Sequence, residues 1–153
     1  MLSFRKATLD DLDLYFDWAN NYEVRAQSYN SDPIVFENHK KWFEAAIKNS
    51  LIDMFVFKNL DNNLIGQVRI QKQNDREALI GVSVSPDQRG KGYAKEMLSL
   101  ATDFFLQSNN GFLINAYIKE SNLISKFSFE KAGFKFKEMV SYENFMSFHY
   151  IKQ

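Results

Sequence analysis

The chain has no cysteine among its 153 residues, which excludes a disulfide framework, a thiolate nucleophile and a thiolate metal site. Histidine is nearly as scarce: His39 and His149 are too few and too far apart to mark a zinc site, and no metal is expected. Neither sign of charge dominates, since Lys+Arg and Asp+Glu both number 19. The basic field that neutralises nucleic-acid phosphates is therefore missing, and no nucleic-acid partner is expected. The start, Met1-Leu2-Ser3-Phe4-Arg5-Lys6, meets charge at once and holds no apolar run. It reads as neither a secretory leader nor a membrane span, so no membrane partner and a cytoplasmic location are expected.

Apolar and aromatic residues, by contrast, are plentiful. At 45% hydrophobic content, the chain suits one compact domain over residues 1–153, burying roughly 70% of the surface its unfolded form exposes. Fifteen phenylalanines and seven tyrosines fill either a core or a pocket that stacks flat ligands.

Periodicity divides the chain. Leu2 to Lys6 reads as a strand, and Thr8 caps a helix carrying Leu12, Tyr15, Phe16 and Ala19 on one stripe, ended by Asn20-Asn21. Arg25 to Val35, with Pro33, reads as a loop. His39 to Asn49 is helical again. The runs Ile52 to Lys58, Leu64 to Gln71 and Ala78 to Ser85, separated by Asp61-Asn62-Asn63 and Asn74-Asp75-Arg76, predict an antiparallel meander. A helix over Lys95 to Gln107, a strand over Phe112 to Ile118, a helix over Asn122 to Lys131 and strands near Phe134 to Val140 and Phe145 to Ile151 complete an α+β order with a mixed sheet and about four helices.

The strand-to-helix join Val82-Ser83-Val84-Ser85-Pro86-Asp87-Gln88-Arg89-Gly90-Lys91-Gly92-Tyr93-Ala94 carries the chemistry. Glycines admit a phosphate close to the backbone, and the free N–H groups of a helix start, aided by its dipole, satisfy phosphate oxygens. Arg89 and Lys91 add positive charge. Standing alone, such a turn is better explained by the steric needs of a tight connection with a solvated charge pair.

A second motif accompanies it. Arg89-Gly90-Lys91-Gly92-Tyr93-Ala94 matches the Arg/Gln-x-x-Gly-x-Gly/Ala signature of the GNAT acetyltransferase superfamily. Asn122 to Phe134 resembles that superfamily's Asn-x-x-Ser/Ala helix ending in Glu-Lys-x-Gly-Phe. The resemblance implies a sheet splayed beside the fourth strand and acetyl-coenzyme A as co-substrate. It implies main-chain contacts to the pantetheine from Val82 and Val84, a pyrophosphate held by Arg89, Gly90, Lys91, Gly92, Tyr93 and Ala94, and further contacts from Asn122 and Phe129. Phe129 stands where many members carry the tyrosine that protonates the leaving thiolate. The proton must then come from Ser128, a water or the substrate ammonium.

Direct attack by an amine is expected, with the Val84 N–H as oxyanion donor by family analogy. An amine of pKa roughly 10.4 must first lose a proton, and the candidate bases are His39 and, through a water, Glu77. In the N-terminal half, Trp18-Ala19-Asn20, Glu23-Val24-Arg25, Ser28, Ser31, His39, Trp42-Phe43 and Gly66-Gln67-Val68-Arg69 resemble the branch that acetylates nucleotide-linked amino sugars, as in pseudaminic acid biosynthesis. Asn21-Tyr22 replaces that branch's more usual Asp-Pro. Arg25 would pair with a sugar-nucleotide diphosphate, and Ser28, Tyr29, His39 and Trp42 would line the acceptor site, Tyr29, Phe36 or Trp42 stacking on a base or sugar. Trp42 and Phe43 also lie on an apolar stripe that reads as core. The alternatives are a peptide N-terminal acetyltransferase, with Asp10, Asp11, Asp13 and Asp17 receiving a basic peptide, and a non-catalytic acetyl-coenzyme A module. A homodimer through the final strands is common in the superfamily.

Overall fold

Asparagine turns set the pairing of the central strands. Asn59 Oδ1 accepts from the N–H groups of Asp61 and Asn63, both at 3.0 Å, and so joins β2 (Ile52–Lys58) to β3 (Leu64–Lys72). Asn74 Oδ1 accepts from Arg76 and Glu77 N–H, both at 2.8 Å, and joins β3 to β4 (Glu77–Val84). These are Asx turns, in which a short side chain substitutes for a backbone partner. The computed structural model describes all residues 1–153. With β1 (Ser3–Lys6), β5 (Leu113–Lys119), β6 (Lys135–Tyr142) and β7 (Phe145–Lys152), the sheet runs β1-β2-β3-β4-β5-β7-β6. Every neighbouring pair is antiparallel except β4 and β5, which are parallel. The α+β, mostly antiparallel sheet expected from the sequence is therefore present.

Five α-helices flank it: α1 (Leu12–Ala19), α2 (Tyr22–Gln27), α3 (Phe36–Lys48), α4 (Tyr93–Ser108) and α5 (Leu123–Lys131). The sequence reading missed α2, part of which falls in the span taken as loop. Asn20 does end α1, but Asn21 restarts the chain as the N-cap of α2, its Oδ1 accepting from Glu23 N–H at 3.1 Å. Six residues are too few for a visible apolar period. No helix is long and apolar enough to cross a membrane.

The two faces of the sheet bury different clusters. In β2, Phe55 and Phe57 join Val68, Ile70, Ile80 and Ile114 beneath α4 and α5, whereas Met54 and Val56 join Tyr15, Trp18, Phe43 and Ala46 beneath α1 and α3. The period-2 alternation of one strand thus feeds both layers. Gly66 makes the tightest approach, because a Cβ there would strike the Ser83 carbonyl oxygen and stand 2.9 Å from Met97 Cε. Both histidines are buried. His39 lies among Phe16, Trp42 and Phe43, and its Nε2 donates to Leu12 O at 3.1 Å. His149 stacks on Tyr117 with ring centres 4.4 Å apart and donates from Nε2 to Asn115 Oδ1 at 2.8 Å.

Two outcomes follow for stability. Gly66→Ala should destabilise the fold by about 3 kcal/mol in urea titration, since backbone rather than a flexible side chain meets the added methyl. Burial also holds both imidazoles below their ordinary 6.5, despite the opposing pull of Asp13 on His39 and of Glu138 and Glu77 on His149. Below 6.5 the unfolded chain binds protons that the folded chain resists, so stability is full above that pH and declines as pH falls below it. Tm should drop between pH 7 and pH 5, and His149→Gln should flatten the drop.

Candidate active site

The site begins where β4 leaves β5. Register pairs join Glu77 to Leu113, Ala78 to Ile114 and Leu79 to Asn115, and there the pairing stops although both strands continue. The direction of the unpaired groups follows from the β3–β4 ladder. Gln73 N–H donates to Glu77 O at 2.9 Å and Ser85 N–H to Ile65 O at 2.7 Å. Antiparallel pairs alternate, so residues 77, 79, 81, 83 and 85 bond toward β3, while Val82 and Val84 turn their main-chain groups into the gap. One gap-facing group is occupied: Val84 O accepts from Arg89 Nε at 3.2 Å.

At the end of β4, Gly90 and Gly92 take φ of +76° and +80°, a region that suits glycine. A Cβ at either would meet no atom within 4 Å. The N–H groups of Gly90, Lys91, Gly92, Tyr93, Ala94 and Lys95 make no hydrogen bond within the chain. Successive free amides at a helix start are a concave anion site, reinforced by the helix dipole. The arrangement suits a diphosphate at the turn and an extended, amide-bearing arm along Val82 and Val84, which is the chemistry of coenzyme A.

The side chain of Arg89 does not serve that turn. Nη1 is ion-paired with Glu23 and Nη2 donates to Asn21 Oδ1 at 3.1 Å, tying the turn to the start of α2. Lys91 Nζ reaches Gln88 Oε1 at 3.2 Å and is otherwise exposed. Asn122 caps α5, its Oδ1 accepting from Ser125 N–H at 3.3 Å. Ser128 Oγ donates back to Ile124 O at 3.1 Å, which commits its proton. Phe129 is buried, edge-on to Phe134 at 5.0 Å, within the core beneath α4 and α5.

On the opposite face, Arg25 departs from its expected role. Nε donates to Ala19 O at 2.7 Å, Nη1 to Asn30 O at 2.9 Å and Nη2 to Ser28 Oγ at 3.1 Å, while Ser28 Oγ donates to Val24 O at 2.6 Å. This guanidinium ties α2 to its flanking loops, a task invisible in sequence because the acceptors are carbonyls. Tyr29 lies apart from it, its hydroxyl 2.7 Å from Ser147 Oγ and its ring edge-on to Tyr142. Glu77 is at the closed end of the β4–β5 pair, roughly 20 Å along the strand from Val84, and accepts from Asn115 Nδ2 at 3.1 Å. It is not beside the gap as a base would need to be.

The structure gathers instead a pocket of about 290 Å³ lined by Ala19, Arg25, Ile34, Asn38, His39, Trp42 and Arg69. Trp42, expected to line the acceptor site although its stripe also reads as core, is 40% exposed and forms a wall, while its neighbour Phe43 is fully buried. Arg69 lies over the Trp42 ring with Cζ 5.2 Å from its centre, and its guanidinium makes no hydrogen bond or ion pair within the chain. Burial pushes its pKa down, yet a guanidinium stays charged at neutrality. Arg69 faces Gly81 across β3–β4, and a Cβ on Gly81 would meet nothing within 4 Å, so the face is open there.

Sequence reasoning singled out Glu77 on β4 but not the polar series it joins on β5, β6 and β7. Glu77, Asn115, His149 and Glu138 form a line in which His149 Nδ1 lies 3.8 Å from Glu138, bordered by Tyr142 stacked on Tyr117 at 4.0 Å. A signal existed: Asn115, Tyr117 and Lys119 alternate with Ile114, Ala116 and Ile118, and so place polar groups on one face.

Residues 1–135 match the family model described as an acetyltransferase (GNAT) domain. The spermidine N(1)-acetyltransferase of Vibrio cholerae serotype O1 is 23% identical over 135 residues, covering 87% of this chain and 78% of the relative. The crystal structure of a Vibrio cholerae spermidine N-acetyltransferase in complex with CoA and spermine superposes with a TM-score of 0.86 at 20% identity, covering 98% of this chain and 93% of that one. An aminoglycoside acetyltransferase in complex with coenzyme A gives 0.83 at 15% identity, covering 99% and 94%. The family match over most of the chain, meeting a parted strand edge and a nest of free amides, makes this protein a member of the GNAT family and an acetyl-CoA-dependent N-acetyltransferase.

Proposed function

We propose that the acceptor is a small primary amine carrying a strong anion, specifically a nucleotide-linked amino-deoxysugar. The observation that carries this reading is the unpaired guanidinium of Arg69 over Trp42, in a pocket with no carboxylate among its lining residues. A desolvated cation without a counter-charge is costly, and a phosphate would supply both charge and acceptor oxygens. Arg25, although committed to carbonyls, adds a second positive charge to the same wall. Trp42 offers a flat apolar face to a base or sugar. Gly81, opposite Arg69, leaves the face of β4 open beside this pocket.

In this reading the free amides of Gly90 to Ala94 hold the pyrophosphate, and Val82 and Val84 hold the pantetheine. The amine attacks the thioester carbon directly, and a gap-facing N–H steadies the developing oxyanion, worth about 3 kcal/mol. His39 is the base we assign, acting through a water. Its Nε2 proton is fixed by Leu12 O, which leaves Nδ1 with a lone pair, and burial keeps the ring neutral. With Phe129 unable to donate and Ser128 committed to Ile124 O, the leaving thiolate takes its proton from the substrate ammonium or solvent.

A second reading takes a polyamine as acceptor. It is supported by the names of the Vibrio cholerae relatives and by Glu77 and Glu138, which flank the Tyr117–Tyr142 stack and suit a cation.

Thiol release from acetyl-CoA should proceed with a UDP-linked 4-amino-4,6-dideoxy sugar and be at least tenfold slower with spermidine. Arg69→Gln should raise KM for the sugar nucleotide by about 100-fold, the loss of a charged hydrogen-bonding partner, and leave KM for acetyl-CoA unchanged. Turnover of spermidine alone, with Arg69→Gln inert, would reverse the two readings. Gly92→Val should weaken acetyl-CoA binding at least tenfold by calorimetry, because a β-branched residue resists the left-handed φ. Unchanged binding would remove the proposed phosphate site.

A further inference from the structure

Two buried side-chain polar atoms in this chain lack a hydrogen-bond partner, Tyr15 Oη and Gln67 Oε1. Both lie on the α1–α3 side of the sheet. Tyr15 packs with Met54 and Val56 there, and Gln67 stands opposite Val56 on β2 and Ser83 on β4. Tyr15 is walled in by Trp18 and Phe43, which leaves Gln67 as the orphan closest to the proposed chemistry.

Its surroundings are specific. Gln67 Nε2 donates to Ser83 Oγ at 3.0 Å, which orients the carboxamide and leaves its oxygen unspent. Ser83 lies between Val82 and Val84, the residues whose main chain faces the gap. Two register pairs along, on the same face of the sheet, Arg69 stands opposite Gly81 and the open surface above it. A lone, buried carbonyl oxygen is thus held on β3 across from Ser83, on the sheet face that also carries Arg69 of the acceptor pocket. A buried acceptor left unmade is a standing cost to the fold, and such groups persist where a ligand supplies the missing donor.

We infer that Gln67 Oε1 accepts a hydrogen bond from the nucleophilic amine and so turns the nitrogen lone pair toward the acetyl carbon. Ser83 is a positioning residue that holds the carboxamide in place. The assignment rests on the acceptor entering from the α1–α3 side, but not on whether that acceptor is a sugar nucleotide or a polyamine, because every primary amine has an N–H to give.

Gln67→Met keeps the volume and removes the orphaned oxygen; Gln67→Glu restores an acceptor oxygen. The variants would be assayed by thiol release with the UDP-linked amino sugar, with spermidine, and with hydroxylamine as the minimal amine after subtraction of its uncatalysed rate. Gln67→Met should lower kcat about tenfold on whichever amine the wild-type enzyme uses, leave KM for acetyl-CoA unchanged and lower Tm only by the loss of the Ser83 hydrogen bond. Gln67→Glu should recover most of the rate. An unchanged kcat in Gln67→Met, or a Gln67→Glu no faster than Gln67→Met, marks an ordinary structural carboxamide and overturns the inference. Wild-type inactivity on all three amines overturns it as well. Turnover of spermidine but not the sugar, still slowed in Gln67→Met, rejects the acceptor class alone and keeps Gln67 in its role.

Discussion

Everything functional in this molecule depends on β4 and β5 parting after Leu79 and Asn115. A sheet normally hides its edges, because unpaired N–H and C=O groups are costly when buried and adhesive when exposed. Here an edge is created in the middle of a seven-stranded sheet and not at its margin. On their outer sides β4 pairs with β3 and β5 with β7, and Ile80, Ile114 and Ala116 anchor both strands in the core beneath α4. Rigid neighbours therefore hold open a polar slot shaped for an extended, amide-bearing chain. The anion-binding turn at Gly90 and Gly92 lies at its end, because β4 leads directly into that turn.

The two substrate sides are mechanically joined through one side chain. Arg89 belongs to the phosphate turn by sequence, yet its guanidinium bonds Val84 O, Asn21 and Glu23. Asn21 caps α2, and α2 carries Arg25 into the acceptor pocket. The cofactor turn and the wall of the acceptor pocket thus share a partner. Charge on Arg89, which looked in sequence like direct phosphate recognition, is spent on holding two layers together.

Much of the architecture was legible because it rests on local rules. The three-stranded meander followed from apolar runs separated by Asn-rich turns, and α4 from its glycine start and apolar stripe. What misled the reading was also physical. A six-residue helix such as α2 has no period to detect, and its Asn cap sits beside the Asn that ends α1. Trp42 and Phe43 are adjacent on one apolar stripe, but Phe43 packs into the cluster beneath α1 and α3 while Trp42 lies over Arg69 at the pocket, so one is core and the other a wall. Glu77 looked close to the chemistry because it opens β4, whereas the strand opens at its other end.

By itself the sequence determined the α+β order, the strand-to-helix turn with its glycines, and the absence of cysteine chemistry, since these depend on residue type and near spacing. Tertiary structure alone decided which charges are free. Arg25 and Arg89 are consumed by carbonyls and by residues far away in the chain, while Arg69, given no role of its own in the Gly66-Gln67-Val68-Arg69 run, is left uncompensated over Trp42. It also decided that Gln67 keeps an unmade bond beside Ser83. Whether a polar group is spent or available depends on partners that folding brings across the sheet, and no local pattern encodes them.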